Sequence, residues 1–178
     1  MIAPASAQGR DGLGPLFNAR SCGGCHAPDG RAKPPAHPDD DFEGLLIRLS
    51  IPGTGATGGP VPSPNYGSQL NNFAIPGVRP EAKPHVRYEE LTGNFDDGTP
   101  YSLRKPVYSF TNAQYGSLEG LLFSPRIAMP VIGLGLLEAI DESSILEYAD
   151  PDDLNGDGIS GKPNYVWNKE KQRRELGR

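Results

Sequence analysis

The stretch Cys22-Gly23-Gly24-Cys25-His26 decides how this chain is read. It contains both cysteines of the 178-residue chain and one of its three histidines. For this composition the coincidence would arise by chance roughly twice in 10,000. The pattern C-x-x-C-H is the attachment signature of c-type haem. Each thiol adds to a vinyl group of the porphyrin and becomes a thioether. Two intervening residues let both sulfurs reach one edge of the ring. The next residue then lies under the ring, where its imidazole binds iron, and the other axial position sets the function. Gly23 and Gly24 have no side chains to hinder that approach. Three competing readings fit less well. A thioredoxin-like pair belongs in a βαβ pattern, which does not surround this motif. A structural zinc site needs four closed ligands, and the chain has no second cysteine pair. A plain disulfide leaves His26 without a role.

Outward from the motif, Pro15 suits the first turn of a short loop and helix over residues 12–26. Leu16 and Phe17 there are positioned to cover a haem edge or to pack in the core. Upstream, Ala3-Pro4-Ala5-Ser6-Ala7-Gln8 resembles the small-residue end of a secretory signal, with a flexible Ala-rich end as the alternative. Residues 1–11 are therefore read as the remnant of an export signal or a flexible terminus. Covalent haem attachment in bacteria takes place outside the cytoplasm, so the expected location is periplasmic or otherwise exported.

Downstream, residues 27–41 read as a polar, Pro-rich loop. Asp39, Asp40 and Asp41 precede Phe42, Leu45, Leu46 and Leu49, a spacing that predicts an amphipathic helix with an acidic start. Pro52-Gly53 ends it. Residues 53–84 are irregular, as in a stretch that wraps a ligand. Val86, Tyr88 and Leu91, the turn Asp96-Asp97-Gly98, and then Tyr101, Leu103, Val107, Tyr108 and Phe110 predict a β-hairpin over 86–110. Pro106 puts its strand at an edge. Residues 116–149 read as helical, broken at Pro125, with Ser144-Ile145-Leu146-Glu147 as a capping box for a last short helix. Residues 169–178 carry five basic and two acidic side chains and read as a basic tail or linker. The expected fold is mainly α: a cytochrome c-like haem domain over 12–168 with long irregular loops and an inserted β-hairpin.

Composition bounds the alternatives. The 22 acidic and 17 basic side chains give a net charge of −5, which argues against nucleic acid as partner. The 23 glycines and 19 prolines indicate a loop-rich folded domain without the repeat of a collagen. No apolar run reaches the length of a membrane-spanning helix.

Few residues can fill the iron's other axial position. Met129, before Pro130, is the leading candidate, with His85 and His37 behind it. Met129 as core filler and the two histidines as surface imidazoles are the alternatives. Arg48 and Arg126 are candidates for pairing with the haem propionates, because guanidinium binds carboxylate bidentately. Surface salt bridges are the other use. Asp153, Asn155 and Asp157 fall at positions 1, 3 and 5 of an EF-hand-like loop, with Gly158 at the sixth and the Ile159 carbonyl at the seventh. Asn164 stands at the twelfth position, so a calcium ion there would be held weakly. An Asx-rich turn bonded to its own backbone is the competing reading. Trp167, the single tryptophan, reads as a hydrophobic anchor.

Beyond the haem motif, Gly12-Leu13-Gly14-Pro15-Leu16-Phe17-Asn18-Ala19-Arg20-Ser21-Cys22 resembles the opening of the di-haem oxidoreductases. These are also called thiol oxidoreductases and are similar to the bacterial di-haem cytochrome c peroxidases. Further matches are Leu46-Ile47-Arg48-Leu49-Ser50, Tyr66-Gly67-Ser68-Gln69-Leu70, Phe95-Asp96-Asp97-Gly98-Thr99-Pro100-Tyr101-Ser102-Leu103-Arg104, Ser124-Pro125-Arg126, Gly133-Leu134-Gly135-Leu136-Leu137-Glu138-Ala139-Ile140 and Asp157-Gly158-Ile159-Ser160-Gly161. The resemblance runs over nearly the whole chain. It implies one covalent haem c here and a second C-x-x-C-H haem elsewhere, so this chain looks like the N-terminal half of such a protein. It also implies Met-Pro ligation at Met129, a Trp between haems, and calcium near the domain boundary. The implied function is electron transfer within a peroxidase-like, haem-dependent oxidoreductase. A stand-alone mono-haem electron carrier without catalysis, or a module with a vestigial haem, are the alternatives. The implied partner is a second haem domain or a redox protein, or a second copy of the chain.

Overall fold

The computed structural model describes residues 14–27 and 30–177. The export-signal reading of residues 1–11, the opening Gly12-Leu13 and the terminal Arg178 lie outside the described residues. The chain divides into two compact units, one of Met1–Pro52 with Val61–Pro130, the other of Gly53–Pro60 with Val131–Arg178.

The first unit is built from strands. Leu16–Phe17 (β1) is followed by a single helical turn, Cys22–Cys25 (α1), and then by Leu45–Thr54 (β2) and Pro60–Val61 (β3). Phe73–Ala74 (β4), Lys83–Asn94 (β5), Pro100–Thr111 (β6) and Leu122–Ile127 (β7) complete it. β2 lies between β3 and β7, β1 pairs with β4, and β5 pairs with β6 as an antiparallel ribbon. Leu45, Ile47 and Leu49 are at most 4% exposed, whereas Leu46, Arg48 and Ser50 between them are only partly covered. Alternate side chains of a strand point to opposite faces, so β2 gives one face to the core. Phe42, Tyr66, Leu70, Ala82 and Val86 close that core. Tyr108 and Phe110 of the ribbon set their rings edge-on to Phe123 of β7. Phe17 is buried and stacks on Phe73, so it serves packing.

The mainly α, cytochrome c-like expectation is therefore overturned: three helices of four or five residues stand against nine strands among the described residues. The helix read from Phe42, Leu45, Leu46 and Leu49 is β2. Those positions satisfy a helical spacing, but Leu45, Ile47 and Leu49 also satisfy period two, and pairing with β7 decides between them. The acidic start has another use: Asp40 accepts from the backbone N–H groups of Ala36 and His37 at 2.8 and 2.9 Å, which closes a turn. Similarly, Leu122–Ile127 is a strand, and Pro125 is accommodated because β7 is at the sheet edge. The hairpin expected over 86–110 is present and longer, with Phe95 N–H donating to the Thr99 carbonyl at 2.9 Å across its five-residue turn.

The second unit contains helices Leu134–Glu138 (α2) and Glu142–Leu146 (α3) and the hairpin Tyr165–Asn168 (β8) and Arg173–Leu176 (β9). α3 starts after Asp141, so Glu147 ends the helix and the capping box over Ser144–Glu147 is not used. The basic run from Lys169 supplies the turn and second strand of the β8–β9 hairpin. Among the described residues no helix is long and apolar enough to cross a membrane.

Candidate functional site

The local order of the cysteine motif begins at Ser21. Its backbone is extended, and its Oγ accepts from the Gly24 N–H at 3.2 Å, the bond of a helix N-cap. The cap starts α1 at Cys22, and three residues of helix put Cys22 and Cys25 on one side of the turn. His26 ends it, donating its N–H to the Cys22 carbonyl at 2.8 Å. Both thiols are free, Cys22 exposed and Cys25 partly covered. Gly23 has open space around it, but a Cβ on Gly24 would meet the Glu43 carboxylate at 2.4 Å. A side chain at that second glycine would displace the Glu43 carboxylate.

The imidazole of His26 is fixed from one side. Its Nδ1 lies 2.7 Å from the main-chain carbonyl oxygen of Met129. A carbonyl only accepts, so Nδ1 carries a proton, and in the neutral ring Nε2 holds the lone pair. The segment that carries this carbonyl is itself held. Ala128 N–H donates to the Gly44 carbonyl at 2.8 Å, and Ala32 N–H donates to the Ala128 carbonyl at 3.2 Å. Gly44 has φ +84°, and a Cβ there would fall 2.4 Å from the Ala32 Cβ and 3.2 Å from the Cys25 carbonyl oxygen. Only glycine permits this contact between the start of β2 and the cysteine turn.

Beside Cys25 and His26 is a cavity of about 190 Å³, walled by Asn18, Leu45, Leu46, Arg126 and Ile127. It is smaller than the roughly 300–1,000 Å³ of a complete small-molecule pocket. Two free thiols one turn apart, an imidazole with Nε2 available, apolar walls and a guanidinium suit the edge of a porphyrin. The donor chemistry fits a covalently held haem c, with Cys22, Cys25 and His26 as its attachment residues.

The structure brings Cys25, His26 and Arg126 to one cavity and leaves Arg48 off its wall. Leu46 pairs with Arg126 and Arg48 with Ser124, so both arginines share the β2–β7 face opposite the core. Neither guanidinium has a partner among the described residues. Met129 meets His26 through its backbone, and its side chain is 69% exposed. His85 uses both ring nitrogens, Nε2 with Thr111 Oγ1 at 2.8 Å and Nδ1 with the Pro38 carbonyl at 3.3 Å. His37 lies in the turn that Asp40 closes. Trp167 is on β8, paired with Arg174.

In the Asx-rich loop, Asp153 accepts from Gly158 N–H at 3.1 Å, Asn155 from Asp157 N–H at 2.9 Å and Asp157 from Ile159 N–H at 2.8 Å. Asp150 accepts from Leu154 N–H at 2.8 Å. Among the described residues no group of three or more His, Cys, Asp or Glu side chains is disposed to hold a metal ion. Sequence reasoning missed Gly44, whose only signal is a glycine directly before an apolar run. It also missed Asn18, which donates to the Leu70 carbonyl at 2.5 Å and to Asn72 Oδ1 at 2.8 Å, so that it ties the loop after β3 to the cavity wall.

Motif, cavity and family comparison together define the class of haem-dependent oxidoreductases. The profile of the family described as "Di-haem oxidoreductase, putative peroxidase" matches residues 2–175. Within that class, the chain belongs to the di-haem oxidoreductase family. No curated protein and no solved structure matches it.

Proposed function

We propose that this chain is the c-type haem domain of a di-haem, peroxidase-like oxidoreductase, carrying one covalent haem and exchanging electrons with a second haem domain. The observation that carries the reading is the one-turn helix with two free thiols, ending in a histidine whose Nδ1 is already bonded and whose Nε2 has no partner among the described residues. Cys22 and Cys25 would hold the haem through thioethers, and His26 Nε2 would bind its iron. Bound there, haem supplies one-electron redox chemistry. The chain's own residues set its surroundings. Leu45, Leu46 and Ile127 would exclude water from the ring edge, and the Arg126 guanidinium, without a partner among the described residues, would neutralise a propionate. Reduction of a peroxide to water consumes two electrons and two protons, so a one-electron centre needs a partner. That requirement agrees with the di-haem character of the family. Attachment through thioethers supports a periplasmic or otherwise exported location for the working protein.

The test is mass spectrometry of the denatured protein, made in a periplasm that matures c-type cytochromes. One haem retained on the polypeptide is the expected result. It should be lost in the Cys22→Ala, Cys25→Ala double variant. A mass equal to the bare polypeptide in the unaltered protein would defeat the reading.

A further inference from the structure

We infer that Met129 acts on the haem iron through its main-chain carbonyl, as the group that orients His26, and that its thioether is not the ligand on the opposite face. The inference rests on the haem reading above. Its first observation is the 2.7 Å contact between His26 Nδ1 and the Met129 carbonyl oxygen. A metal-binding histidine generally donates its other ring N–H to a carbonyl or carboxylate, which fixes the tautomer, aims the ring and raises its basicity. His26 has this partner in place.

The second observation is that the partner is not on a free loop. Its neighbour Ala128 is bonded in both directions, to the Gly44 carbonyl and from the Ala32 N–H. Pro130 follows Met129 and restricts it to extended backbone. Gly44 is at φ +84°, and a Cβ there would run into the Ala32 Cβ and crowd the Cys25 carbonyl. The cysteine turn, the start of β2 and the end of β7 thus form one backbone clamp around the imidazole. Geometry then excludes the other role. Nδ1 is on the ring edge away from Nε2, so whatever bonds Nδ1 lies on the histidine side of the porphyrin plane. With haem held on His26 Nε2, the ring would stand between the Met129 side chain and the opposite axial position.

Three measurements on the haem-loaded protein test this. In Met129→Ala the carbonyl persists, so absorption spectra of both oxidation states and the midpoint potential should superimpose on those of the unaltered protein. In Gly44→Ala the clamp is forced apart, so the potential should shift while the haem remains attached. Nitrogen-15 NMR of the reduced, unaltered protein should show a slowly exchanging proton on His26 Nδ1. Loss of an axial ligand in Met129→Ala, or solvent-rate exchange at Nδ1, would overturn the inference. The NMR and Met129→Ala results decide it even if Gly44→Ala fails to fold. Absence of covalent haem would instead overturn the haem reading, so the two failures are distinguishable.

Discussion

At the scale of single residues, buried polar atoms give the sharpest tests. The Tyr66 ring is 4% exposed, and its hydroxyl donates to the Gly116 carbonyl at 2.6 Å while accepting from the Tyr115 N–H at 3.1 Å. Removing the hydroxyl leaves two backbone groups without a partner. Tyr66→Phe should therefore cost about 1–3 kcal/mol in denaturant unfolding, with the slope of the transition unchanged. A midpoint equal to that of the unaltered protein would mean that water replaces the hydroxyl. The same scale shows what the sequence made legible. Cys22, Cys25 and His26 stand out because three rare residues share one spacing, and spacing is a sequence property. Gly44, Asn18 and the Met129 carbonyl do not stand out. Their roles come from contacts between segments distant in the chain, and a main-chain carbonyl leaves no residue-type signal at all.

Elements were legible where local chemistry had no competitor. The turn Asp96-Asp97-Gly98 between alternating apolar runs fixed the β5–β6 hairpin, and Thr99 N–H donates to Asp97 Oδ1 at 2.9 Å within it. β2 was misread because a leucine-rich run satisfies two periodicities, and its partner strand lies roughly seventy to eighty residues away. Substitution separates the two readings. Ile47→Ala empties a site that is 2% exposed and should cost about 2–5 kcal/mol, whereas Ser50→Ala on the other face should change stability little. Equal effects at both positions would contradict the strand. The β8–β9 hairpin gives a pH test. Hydrogen bonds from Lys171, and then from Arg173, pull the Glu175 carboxyl from 4.5 to about 2. The unfolded chain binds that proton first. The hairpin's stabilisation is thus complete above pH 4.5 and is lost as pH falls toward 2. The amide shifts of β8 and β9 should move over that window and lose this dependence in Glu175→Gln. Added salt should weaken the effect, since the cations are exposed.

On the scale of the whole molecule, apolar burial is uneven. Eight of the most buried side chains form one cluster in the first unit, while among the described residues of the second unit Leu176 is the sole buried apolar side chain. Local opening is easiest where few apolar contacts resist it. Backbone amides of β2 and β5 should therefore exchange with solvent about 100-fold more slowly than those of α2 and α3. Uniform protection across the chain would rule this out. The β5–β6 ribbon has a further whole-molecule consequence. In its turn Phe95 N–H donates to the Thr99 carbonyl, which sets the odd-numbered pairs as the hydrogen-bonded ones. Pro84, Pro100 and Pro106 all fall on even-numbered pairs, opposite Phe110, Asn94 and Tyr88. Their missing N–H groups thus cost the ladder nothing and are subtracted from the two outer rims instead. A twelve-residue ribbon with bare rims would otherwise recruit strands from neighbouring molecules. These prolines, with the charged side chains between them, make the longest β element a poor template for aggregation.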